Sequence, residues 1–114
     1  MAEQCLFCEM AAGRIAIDKV YDESGIFAIR DINPRAPFHV LVIPQRHIAM
    51  VSDLTPADAD LLMRMFAAAN EIARGAGLDK SGYRCAFNVG ADAGQSVFHI
   101  HMHLLGGRRL GTEA

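Results

Sequence analysis

The stretch Val97-Phe98-His99-Ile100-His101-Met102-His103-Leu104-Leu105 constrains this chain more than any other. Apolar residues and histidines alternate along it with a period of two, the period of a β-strand, whose successive side chains point to opposite faces. Read as one strand, Phe98, Ile100, Met102 and Leu104 make an apolar face. His99, His101 and His103 make the other, with neighbouring imidazoles about 7 Å apart. A lone histidine on a sheet is more often packed or solvated than reactive; three in step opposite a clean apolar face are a site. Two of them can share a metal ion, but the outer pair is about 13 Å apart, so all three cannot close on one ion. The other use is chemistry, with one imidazole as nucleophile or base and its neighbours orienting it.

The residues just before this strand suit a phosphate. Gly94-Gln95-Ser96 offers a glycine beside which backbone and ligand can approach, together with amide and hydroxyl donors for phosphate oxygens. Gly94 taken alone reads equally well as a turn residue. In the preceding run Tyr83–Val89, Asn88 alternates with Cys85, Phe87 and Val89, so it shares the polar face of the histidines. Cys85 falls on the apolar face and reads as core.

The rest of the chain predicts an α+β domain: an antiparallel sheet of about five strands, one long helix and a short N-terminal helix. Residues 4–12 form the short helix, ended by Gly13. Lys19–Asp22 and Ile26–Ile32 are strands around a Glu23-Ser24-Gly25 turn, and Phe38–Ile43 is a β-prone run stopped by Pro44. Thr55 caps the long helix, with Pro56 at its first position and Asp58 completing a capping box. Its stripe runs Leu61, Leu62, Met65, Phe66, Ala69, Ile72, Ala73, and Gly75 and Gly77 end it. Tyr83–Val89 and Val97–Leu105 are the last strands. No linker or repeat divides residues 1–114, so one domain is expected.

Composition narrows the function classes. Apolar residues are 52% and the net charge is −2, with no basic run or face, so DNA and RNA are not expected as partners. No apolar stretch approaches the roughly 20 residues of a membrane span, and no basic-then-apolar leader opens the chain. Three cysteines, an odd number, fit reduced thiols and a cytoplasmic location. The high apolar share in so small a chain points to surface covered by a second copy.

His99-Ile100-His101-Met102-His103-Leu104-Leu105 matches the His-φ-His-φ-His-φ-φ motif (φ apolar) of the histidine-triad (HIT) family, which this chain resembles over nearly its whole length. Supporting stretches are Cys5-Leu-Phe-Cys8, Asp31-Ile32-Asn33-Pro34, Ala36-Pro37, Leu41-Val42-Ile43-Pro44, His47-Ile48, Asn88-Val-Gly90, Gly94-Gln95-Ser96-Val97 and Leu104-Leu-Gly-Gly107. The resemblance is closest to the purine nucleoside phosphoramidase branch. It implies that His101 attacks the α-phosphorus of a nucleoside 5′-phosphoramidate or acyl-nucleotide, forming a nucleotidyl-histidine that water hydrolyses. His103 and Ser96 would hold phosphate oxygens and help protonate the leaving amine. Asp31 would bind ribose hydroxyls, Ile32 would pack on the purine, and Asn88 and Gln95 would complete the contacts. Without the resemblance, Asp31 reads as a solvated carboxylate at a strand end. His39 also matches a family position and is read as structural.

Cys5-x-x-Cys8 lies at the start of the chain with no strand before it, so zinc suits it better than redox chemistry. The resemblance supplies His47 and His99 as the remaining ligands of a structural ion, the alternative being two buried thiols on one helix face. Family members are usually homodimers with their two sheets joined, and the helix Thr55–Arg74 is the expected contributor here because its stripe is wide. Two other functions stay open: a dinucleoside polyphosphate hydrolase, though that branch commonly has Gln where this chain has Asn88, and a nucleotide-binding interaction protein with incidental catalysis. Eukaryotic members end in Trp-Pro-Pro-Gly near the substrate, whereas this chain ends Arg108-Arg-Leu-Gly-Thr-Glu-Ala114, which leaves the leaving group open.

Overall fold

The computed structural model describes residues 5–112. Its five antiparallel strands are β1 (Lys19–Glu23), β2 (Ile26–Arg30), β3 (Phe38–Pro44), β4 (Tyr83–Ala86) and β5 (Met102–Gly106), arranged in the order β1-β2-β3-β5-β4. Helix α1 (Leu6–Ala11) and helix α2 (Ala59–Gly75) lie on opposite faces. Gln4, the expected first residue of the short helix, lies outside the described residues. The α+β class, the strand number and the two helices are as the sequence predicts.

Local chemistry explains each element. Ser24 and Gly25 both take positive φ (57° and 77°), the two-residue hairpin turn that matches strand twist, so β1 and β2 pair at once. β3 lies between β2 and β5 and is buried along nearly its whole length. That is why Val40–Ile43 is continuously apolar, without alternation. Helix α2 opens through a reciprocal cap: the Ala57 amide donates to Thr55 Oγ1 and the Thr55 amide donates to Asp58 Oδ2. Pro56–Asp58 forms a tight 3₁₀ turn, so the α-helix proper begins at Ala59.

The sheet separates two apolar layers. Ile26, Ala28, Val40, Val42, Met102 and Leu104 face α2, where Leu61, Met65, Ala68 and Ala69 cover them. Phe27, Ile29, Leu41 and Ile43 face α1 and pack on Cys5, Phe7 and Met10. With only 6 residues, α1 covers part of its face, and the uncovered part toward β5 and β4 becomes the site.

Three expectations change here. The stripe of α2 is used on its own sheet: Leu61 is 5% exposed and Met65 0%, so a wide stripe no longer argues that this helix meets a second copy. The fourth strand stops at Ala86 and does not reach Val89. The histidine strand starts at Met102, so Val97–His101 is not strand and Phe98 is 46% exposed where alternation buries it. The cause is Pro44. The β3–β5 register, Phe38 opposite Gly106 through Val42 opposite Met102, would place Pro44 opposite Ile100, and a proline has no amide for that rung. The His99 ring takes the place instead, its Nε2–H donating to the Pro44 carbonyl at 2.7 Å.

Candidate active site

His101 and His103 sit at the start of β5 with ring centroids 5.2 Å apart, closer than an ideal strand allows. His101 Nδ1 lies 2.8 Å from the main-chain carbonyl of His99. A carbonyl only accepts, so Nδ1 carries the proton and Nε2 presents a lone pair. The orienting acceptor is therefore backbone and not a flanking imidazole, as the row of histidines suggests. Phe7, 3% exposed, packs edge-on against the His101 ring at 5.2 Å and limits its rotation.

His103 is fixed by a second chain of hydrogen bonds. The Arg35 amide donates to His39 Nδ1 at 3.1 Å, so neutral His39 holds its proton on Nε2. That nitrogen lies 2.9 Å from His103 Nδ1 and 3.4 Å from Asp31 Oδ2. His103 Nδ1 thus accepts, and its own proton is on Nε2. Burial holds His39 below the ordinary histidine range, against the pull of Asp31. Burial, then the neighbouring His101 and His39, push His103 down to about 4, so near neutral pH it is an uncharged donor. Asp31, His39 and His103 also stand close enough to hold a cation. The proton between the two rings occupies the lone pairs such an ion would need.

The residues singled out for the nucleotide, Asp31, Ile32, Asn88, Gly94, Gln95, Ser96, His101 and His103, all line one cavity of about 490 Å³. Leu6, Phe7, Ile29 and Leu41 give it apolar walls, and Ile32, 89% exposed, stands at its mouth. Asp31 is not a freely solvated carboxylate. Its Oδ1 accepts from the Asn33 amide at 2.8 Å and its side chain is 17% exposed. Gly94 has φ of 84° with open space around its α-carbon, so conformation and not crowding requires glycine there.

Gln95 departs from its expected role. Its Nε2 donates to the Ala49 and Val97 carbonyls (2.8 and 3.0 Å) and its Oε1 accepts from the Gly90 amide at 2.9 Å. A primary amide so engaged holds the loop in shape and has no donor directed at a phosphate. The sequence reading also missed Phe7, the main-chain carbonyl of Pro44 and the contact of His39 with His103. The register that places Leu41 opposite His103 sets the last of these, and register is absent from a linear pattern.

The second constellation sits beneath His101. Cys5 at the N-cap of α1, Cys8 within it and the rings of His47 and His99 bring one donor atom each within 4.8 Å of one another. His99 Nδ1 is 3.2 Å from Cys5 Sγ, 3.5 Å from Cys8 Sγ and 3.1 Å from His47 Nδ1, while Cys8 Sγ is 3.3 Å from His47 Nδ1. The edges of a zinc tetrahedron with nitrogen and sulfur ligands are about 3.3–3.8 Å, so the donor set fits that ion. His99 Nε2–H on Pro44 fixes the tautomer that turns Nδ1 toward the thiols, as expected for a ligating histidine. Burial, with the adjacent Cys5 next in effect, pushes the Cys8 thiol up to about 11. Taking up a cation here would release that proton. Cys85 lies apart, half-buried against the α2-side core.

Residues 12–110 match the family model described as HIT domain. The chain is 43% identical over 111 residues to a purine nucleoside phosphoramidase of Escherichia coli K12, covering 97% of this chain and 93% of that protein. Among solved structures it is similar to a HIT family hydrolase from Legionella pneumophila, with a TM-score of 0.92 and 45% identity over 95% of this chain and 96% of that one. It is also similar to a zinc-bound histidine triad family protein from Mycobacterium smegmatis, with a TM-score of 0.80 and 34% identity over 99% of this chain and 81% of that one.

Proposed function

The chain belongs to the HIT family, and from that premise we propose that it hydrolyses the P–N bond of purine nucleoside 5′-phosphoramidates, and related acyl-nucleotides, through a nucleotidyl-His101 intermediate. The observation that carries this reading is the hydrogen bond from His101 Nδ1–H to the His99 carbonyl, which leaves Nε2 as a lone pair in the cavity. Nε2 attacks the α-phosphorus, the Nε2–P bond forms and the P–N bond breaks. Ser96, exposed at the cavity rim, passes a proton from water to the leaving nitrogen. His103 Nε2–H holds a phosphoryl oxygen as charge builds there. Water then forms the new O–P bond, the electron pair returns to Nε2, and the released proton goes to solvent. Asp31 accepts from the ribose hydroxyls, Asn88 adds a polar contact, and Ile32 with the apolar wall takes the purine. Gln95 supports the site by shaping its loop.

The same reading assigns a structural zinc ion to Cys5, Cys8, His47 and His99. Bound there, the ion would tie α1 to the segment that carries the His99 carbonyl.

Incubating the purified protein with adenosine and guanosine 5′-phosphoramidates and with dinucleoside polyphosphates tests the activity. Release of the nucleoside monophosphate from the phosphoramidates is expected, faster than from the polyphosphates. No release from any phosphoramidate would dismiss the reading.

We further propose a homodimer joined through the outer edge of β4. Of the two edge strands, β1 is interrupted by a register shift and carries Lys19, Asp22 and Glu23, features that discourage pairing. β4 is regular and carries only Arg84 as a charge. Sedimentation at micromolar concentration should give twice the chain mass, and Cys85→Pro, which removes an amide from that edge strand, should shift it toward one. A wild-type protein sedimenting only as a monomer would end this proposal. The reduced thiols fit a cytoplasmic enzyme.

A further inference from the structure

We propose that the group leaving phosphorus is a small amine bearing a carboxylate, held by Arg84, Arg108 and Arg35 beside His103; this rests on the phosphoramidate reading above. A second cavity, about 230 Å³, opens on the β4 side of His103 and is lined by those three arginines with Ala86 and Leu105. It shares Arg35, Asn88 and His103 with the nucleotide cavity, so the two meet at the residue next to the nucleophile.

The electrostatics are unusual for this molecule. The chain has a net charge of −2, yet three arginines line one small cavity. Among the described residues no carboxylate lies within ion-pair distance of any of them. Main chain holds two of them: Arg84 donates to the Gly111 carbonyl at 2.6 Å, and Arg108 to the Arg35 and Arg109 carbonyls, both at 2.9 Å. Carbonyl partners fix a guanidinium in place and leave its charge for a ligand. The β4–β5 register sets Ala86 opposite His103 and Arg84 opposite Leu105, so Arg84 stands on the sheet face that carries His103.

Reaction geometry explains why the anion belongs to the leaving group. Displacement at phosphorus runs in line, so the group expelled by His101 departs on the side away from it. The arginine cavity adjoins the nucleotide cavity at His103 and Asn88 and, unlike it, is not lined by His101. Its volume is under the roughly 300–1,000 Å³ of sites for drug-sized ligands, which suits an amino acid and not a second nucleotide. Leu105 and Leu110 line it as apolar cover for a short carbon skeleton. The bonds made and broken are those given above, and the product is an amine with its carboxylate still on the arginines.

The test compares adenosine 5′-phosphoramidates of alanine and of alaninamide, equal in size but anionic and neutral beyond the nitrogen. Diadenosine tetraphosphate is the third substrate. The wild-type protein should favour the alanine compound in kcat/KM by about 10- to 100-fold, the range of a charge-assisted hydrogen bond. In Arg84→Gln combined with Arg108→Gln the ratio should fall toward one, and Arg84→Lys should keep part of the preference. Should loss of the Gly111 bond unfold the double variant, Arg108→Gln alone should lower the ratio. Alaninamide turned over as fast as alanine would overturn this proposal and leave the phosphoramidase reading intact. Turnover of neither amidate while adenosine 5′-phosphoramidate itself is hydrolysed would also overturn this proposal, and turnover of none of these three amidates would reject the phosphoramidase reading itself. A tetraphosphate faster than both would assign the arginines to a phosphate and also overturn the carboxylate.

Discussion

In His101→Gly, turnover of a nucleoside phosphoramidate is expected to fall by several orders of magnitude, about 10⁴-fold or more, as when other covalent nucleophiles are removed. The nucleotide should still bind within a few-fold of wild type, because Asp31, Asn88, Ser96 and the apolar wall remain. Acid quench during turnover should trap a nucleotidyl-protein in the wild type and none in the variant. His103→Ala should be the milder change, since it removes an oriented donor and not the attacking atom. An adduct mapped to His99 or His103 would defeat the mechanism, as would near-normal turnover in His101→Gly. His99 makes a useful control: its ring is buried, with Nε2 on Pro44 and Nδ1 toward the thiols, so it has no nitrogen free to attack.

The second large effect concerns the cysteine–histidine cluster. Protein prepared without chelator should carry close to one zinc ion per chain, and Cys5→Ser with Cys8→Ser should carry none. An ion present at about 1,000 times its Kd contributes about 4 kcal/mol to stability. For a domain of this size that corresponds to a fall in Tm of roughly 15 °C or more on losing it. Well below the new Tm, turnover should decline far less than in His101→Gly, because the acceptor that orients His101 is the His99 carbonyl and not the ion. Metal analysis of the wild type that finds no zinc would refute the assignment.

What could be read from the chain divides along a physical line. Short-range chemistry was legible. Ser24-Gly25 makes the hairpin turn, Thr55 and Asp58 cap the helix, and Ile100, Met102 and Leu104 are buried at 0–1% exposure, all by rules that act within a few residues. The histidine motif and Cys5-x-x-Cys8 were legible too, because their residue types are rare as packing and their chemistry is specific.

Misreadings arose where a distant residue set the outcome. Alternation over Val97–His101 has the period of a strand, but Pro44, far away in sequence, has no amide to extend the ladder. That one missing donor turns His99 out of line with His101 and into the cluster with Cys5 and Cys8. Gln95 reads as a phosphate donor in a glycine-containing loop, yet the Ala49 carbonyl takes its amide. His39 reads as structural, and the β3–β5 pairing brings it to His103.

The sequence by itself determined the α+β class, the choice of elements and the side chains able to do chemistry, because these depend on periodicity, capping and residue type. Only the tertiary structure decided which nitrogen of each imidazole carries a proton. That choice follows from the path of the backbone around each ring: the turn before β3 aims the Arg35 amide at His39, the non-strand segment before β5 folds the His99 carbonyl onto His101, and the packing of that segment on β3 brings the Pro44 carbonyl to His99.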